Sequence, residues 1–68
     1  MRRYVKEFAN AEYRMWYEAL QLQHDQKVRI KIEVILNKIL KLQAMYERGL
    51  ISAHETVKAI VNLEDKYE

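Results

Sequence analysis

An all-α fold of three helices follows from three features of this sequence. Helix breakers are nearly missing, with one Gly and no Pro in 68 residues, half of which are hydrophobic. Apolar positions recur at helical spacing along most of the chain. Polar breaks at Gln23-His24-Asp25-Gln26 and around Arg48-Gly49 carry residue types that stop and start helices. Helices are expected over residues 3–23, 26–48 and 52–67, in one domain spanning 1–68.

The first helix is strongly amphipathic. At 100° per residue, Tyr4, Val5, Phe8, Ala9, Ala11, Tyr13, Met15, Trp16, Ala19, Leu20 and Leu22 fill an arc of roughly 200°. Arg3, Lys6, Glu7, Asn10, Arg14, Glu18 and Gln21 take most of the remainder. Glu12 falls inside the apolar arc and therefore needs a cation, a hydrogen-bond partner or a solvent edge. Asp25 is placed to cap the second helix, its carboxylate accepting from amides of the next turn.

The second helix carries the clearest pattern. Val28, Ile32, Ile35, Ile39, Leu42 and Tyr46 form a heptad seam of nearly three repeats, which Leu36 and Leu40 widen. A narrower apolar line, Ile30, Val34 and Met45, is interleaved with Lys27, Lys38 and Lys41 and reads as a partner surface. Gly49 suits a left-handed helix end, and Arg48 complements the negative end of the helix. Ser52 and Glu55 have the capping-box spacing that starts the third helix. The second and third helices are thus expected to form an antiparallel αα-hairpin. In the third, Ala53, Thr56, Val57, Ala59, Ile60, Val61, Leu63 and Tyr67 line one side.

One segment also fits a strand. Lys27-Val28-Arg29-Ile30-Lys31-Ile32-Glu33-Val34 alternates polar and β-branched residues. A strand, a helix, a Gly turn and a second helix over residues 27–67 resemble the ribbon-helix-helix family of dimeric DNA-binding proteins. That resemblance implies a ribbon paired with a second chain, with Arg29, Lys31 and Glu33 facing the DNA major groove. Ser52-Ala53-His54-Glu55 would begin its second helix. Two departures favour helix instead: an amphipathic helix precedes the segment, and the heptad seam runs through it unbroken.

Composition excludes several classes. Without Cys there is neither a disulfide scaffold nor a Cys-ligated zinc module. No run approaches the ~20 apolar residues that cross a bilayer, and no membrane role is expected. The charged start, Met1-Arg2-Arg3-Tyr4-Val5-Lys6-Glu7, lacks the apolar stretch of a signal peptide, so a cytoplasmic location is expected.

Chemistry is sparse. The only His/carboxylate pairs, His24-Asp25 and His54-Glu55, lie at opposite ends of the second helix, roughly 30 Å apart. Both read as solvated turn histidines. The single Ser and single Thr, Ser52 and Thr56, are used as a cap and on a helix face. Glu12, Glu18 and Glu33 are scattered, and no glycine loop cradles a phosphate. No enzymatic activity, metal or cofactor is expected.

Association is better supported. Tyr4, Phe8, Tyr13, Trp16 and Tyr17 cluster near Arg2, Arg3, Lys6 and Arg14, a composition shared by stacking platforms for single-stranded nucleic acid and by protein interfaces. Tyr4, Phe8 and Trp16 sit on the apolar arc, as core or dimer interface. Tyr17 lies off it, beside Lys6 and His24, as an external contact. Residues 1–41 hold nine Lys/Arg against five Asp/Glu, and residues 42–68 hold three against five. The basic middle and the acidic Glu64, Asp65 and Glu68 attract one another within or between chains.

The arc, the seam and the second line together exceed what one short chain covers, which predicts a homodimer. The long middle helices or the first helices form its interface, and this surface, or that for a partner, draws on Val28, Ile32, Ile35, Ile39, Leu42, Tyr46, Ile30, Val34, Trp16 and Tyr17. The expected function is a non-catalytic module binding an unidentified protein, like the short helical modulators that phages and mobile elements encode. The alternative is a DNA-binding regulator, ribbon-helix-helix-like or using Lys27, Arg29, Lys31, Lys38 and Lys41 on the middle helix.

Overall fold

The computed structural model describes residues 3–67. Three helices follow in order: α1 (Arg3–Leu22), α2 (Gln26–Glu47) and α3 (Ala53–Tyr67). They pack into an elongated body of 38 × 18 × 17 Å, about the length set by the 22 residues of α2 at 1.5 Å each.

Local chemistry sets each boundary. The Asp25 carboxylate accepts from the Lys27 amide at 2.9 Å, capping α2. Gln23 folds its side-chain oxygen back onto the His24 and Asp25 amides, at 3.2 and 3.1 Å. At the other end Gly49 adopts φ +77°. Its amide bonds to Tyr46 O and the Leu50 amide to Met45 O, both at 3.0 Å, the paired closure of a Schellman turn. Ser52 and Glu55 then cap each other: Glu55 Oε1 accepts from the Ser52 amide (2.9 Å) and Ser52 Oγ from the Glu55 amide (3.1 Å). The Ser52 amide, and after it the Ser52 hydroxyl, hold the Glu55 carboxyl below its ordinary range. Ser52 is therefore the cap of α3 rather than its first helical residue.

The core forms two adjoining clusters. Ala9, Ile35, Ile39 and Ile60 make one, flanked by Phe8, Leu42 and Leu63. Leu20, Ile32 and Leu36 make the other, flanked by Ala19 and Val28. Tyr13 and Trp16 pack against both. Thr56 is the one buried polar residue among the described core positions; its hydroxyl donates to Ser52 O at 2.7 Å, so burial leaves it satisfied.

Residues 27–34 are helical throughout, and no strand occurs among the described residues. The extended reading of this segment, and the ribbon-helix-helix resemblance with it, is corrected. Side-chain directions give the reason. In a strand Val28, Ile30, Ile32 and Val34 would share one face. Here Val28 and Ile32 turn inward to the core while Ile30 and Val34 point to solvent.

Several side chains on these apolar faces are not covered by the chain itself: Tyr4, Ala11, Met15 and Leu22 on α1, and Leu40 on α2. The buried stripe of α1, running through Val5, Ala9 and Leu20, is narrower than its apolar arc, because only α2 and α3 are there to cover it. Val61 on α3 is likewise exposed.

Candidate partner-binding groove

The heptad seam of α2 is filled within the chain. Ile32, Ile35 and Ile39 are buried, and Val28, Leu42 and Tyr46 are partly buried. The apolar surface that prompted a dimer along this seam is covered by α1 and α3 of the same molecule. Besides Leu40, the apolar surface left exposed on α2 is the second line, where Ile30 keeps 51% and Val34 45% of its surface exposed.

That line borders a groove between α2 and α3. One stretch, of about 480 Å³, has Lys38, Lys41, Leu42 and Met45 on the α2 side and Ala59, Asn62, Leu63 and Lys66 on the α3 side. A second stretch of about 290 Å³ continues it along Ile30, Lys31, Val34 and Ile35. Lys38, Leu63 and Lys66 border both stretches, so the two are continuous. The lining is apolar at its floor and carries four lysines, Lys31, Lys38, Lys41 and Lys66, with no carboxylate. None of the four is in an ion pair with another described residue. Lys27 is also exposed, in the first turn of α2 outside the lining.

The remaining basic candidate serves the fold. Arg29 donates from its guanidinium to Leu20 O at 2.7 Å and to Gln23 O at 3.0 Å. It satisfies carbonyls at the end of α1 and places a positive charge where the helix dipole is negative. Arg29 is thus separated from the four groove lysines in role as well as position.

Trp16 and Tyr17 also divide. The Trp16 ring is partly buried, and its Nε1–H donates to Glu64 Oε2 at 2.8 Å. Tyr17 is exposed and stacks on Tyr13 with centroids 6.4 Å apart and rings within 14° of parallel. Neither lines the groove.

Glu12 has an unexpected partner. Its carboxyl meets that of Glu64, and a hydrogen bond between two carboxyls requires a proton. That bond, partial burial and the Glu64 charge raise the Glu12 pKa from 4.5 to about 7. Trp16, Glu64 and Glu12 so form a polar strip where α1 meets α3. His24 and His54 are exposed, and no group of potential metal ligands occurs among the described residues. No helix of the described residues is long and apolar enough to cross a membrane.

The α3 wall of the groove is hidden in the sequence, where Lys66 falls on the polar side of the third helix with Lys58, Asn62 and Asp65. Its signal was the five-residue connection from α2 to α3, which brings α3 back alongside α2 and Lys66 beside Lys38. Compared with known protein families, curated proteins and solved structures, the chain matches none.

Proposed function

We propose that the protein is a non-catalytic interaction module that binds a larger protein through the α2–α3 groove, as a small modulator of the kind phages and mobile elements encode. One observation carries this reading: exposed Ile30 and Val34 border an apolar floor whose lining carries four lysines and no carboxylate. Interfaces combine an apolar centre with a polar, charged rim in this way. A face meant only for solvent gains nothing from β-branched residues on its outer surface.

A homodimer through the same face is less well supported. A two-fold axis would set the lysines of one copy against those of the other, and like charges across an interface oppose association. The alternative, a DNA-binding surface, is favoured by Lys27, Lys31, Lys38 and Lys41 lying on one helix. Against it, the apolar floor offers nothing to phosphates or base edges.

The test is site-specific photo-crosslinking in the cells of origin, with the reactive side chain at Val34 and a control at Glu47, which is exposed outside the groove. A discrete protein adduct at Val34 alone is the expected result. Adducts absent at Val34, or equal at both positions, would overturn the reading. An adduct to nucleic acid would transfer it to the alternative.

A further inference from the structure

We infer that the occupant of the α2–α3 groove is an acidic amphipathic helix of the partner protein, lying along α2 as a fourth helix. This inference rests on the binding role proposed above and adds the chemistry of the segment bound.

Shape comes first. The groove runs between two helices and extends along α2 from Ile30 to Met45, about 22 Å at 1.5 Å per residue. That is the length of a four-turn helix, and a furrow between two packed helices is where a further helix seats its ridge. The floor of Ile35, Leu42 and Leu63 offers contacts at several levels, with Ile30, Val34 and Met45 on its α2 side. An amphipathic helix answers such a series with apolar residues at helical spacing.

Charge then selects the partner. Lys31, Lys38 and Lys41 stand on the α2 side and Lys66 on the α3 side, and the lining between them has no carboxylate. A helix with Asp or Glu on both flanks of its apolar stripe meets a lysine on either side. A basic helix meets like charge on both. A second copy of this chain is the poorer occupant, because the same face would bring these lysines together. An extended polyanion would satisfy the lysines and leave the floor unfilled.

Selection from a displayed library of 16-residue helical peptides, randomised at stripe and flank positions, tests this directly, with chemical-shift mapping of the winners. Enriched sequences are expected to carry apolar residues at helical spacing and Asp or Glu at the flanks, and to shift resonances of Ile30, Val34, Met45 and Leu63. Val34→Asp is expected to weaken the selected peptides at least tenfold. Lys38→Glu with Lys41→Glu should weaken them similarly while improving binding of their lysine-flanked counterparts. Both changes are at exposed positions, and the helical circular dichroism signal should be unchanged.

Enrichment without acidic flanks, binding mapped elsewhere, or no enrichment would overturn the inference. So would a duplex DNA or phosphatidylserine vesicles bound more tightly than any selected peptide. The two proposals fail separately. A crosslinked protein at Val34 whose contacting segment is not acidic and helical leaves the binding role standing and removes this assignment.

Discussion

The Glu12–Glu64 contact makes stability depend on pH in a direction opposite to most carboxylates. Glu12 has a higher pKa in the folded chain than its ordinary 4.5, about 7, because Glu64 shares its proton. The folded state therefore binds more protons than the unfolded state across that interval, and stability falls as pH rises through it. The contribution is fully present below 4.5 and is lost on passing about 7. In full, such a difference is worth roughly 3 kcal/mol, and solvent contact at the edge of α1 and α3 screens it to about 1 kcal/mol. Glu12→Gln replaces the shared proton by an amide that donates to Glu64 at every pH.

Urea denaturation of both proteins from about pH 5 to pH 8 reads the effect, and the difference between them cancels all other titrations. Near the acid end the two should be equally stable; near the alkaline end the variant should be more stable by about 1 kcal/mol. Trp16 donates to Glu64, so its fluorescence should titrate with the same midpoint in the wild type and lose that step in the variant. Parallel stability curves with no fluorescence step would refute the shared proton.

Two further substitutions probe polar groups at the helix ends. Tyr46 has a buried hydroxyl with no hydrogen-bond partner among the described residues, so Tyr46→Phe should stabilise the fold by about 1 kcal/mol in the same assay. Arg29→Ala takes the guanidinium donor from Gln23 O and leaves Leu20 O with the Gln23 amide alone, and should destabilise the fold by about 1–2 kcal/mol, while leaving peptide binding in the groove within twofold or so.

The parts of the structure legible in the sequence were those fixed by near neighbours. Asp25 capping two residues ahead, the Gly49 turn and the reciprocal Ser52–Glu55 bonds all span at most five positions, so residue type and spacing suffice. The buried ridge through Ile32, Ile35 and Ile39 was equally plain as a periodicity. Its covering was not, since apolar spacing shows that a face is buried without showing whose helices bury it. The same limit leaves open what covers Tyr4, Met15, Leu22 and Leu40, which lie on apolar faces that this chain does not bury.

Glu12 was recognised as needing a partner, but Glu64 lies 52 positions away and is itself an acid, which no rule of opposite charges would choose. Arg29 looked like one more cation of a basic helix. Its bonds to Leu20 and Gln23 depend on how the α1–α2 turn folds back. The groove needed the register of α3 against α2, which the Gly49 turn permits and only the packed core fixes.

A groove open to a partner requires α2 to turn one face to its own chain and the other outward. The chain has no cysteine, so thiol-labelling kinetics of single-cysteine variants test this without background. Val34→Cys should react as fast as an unfolded control at every protein concentration, while Ile39→Cys should react only as fast as the whole molecule unfolds. Fast labelling at Ile39, or protection of Val34 that grows with concentration, would contradict it.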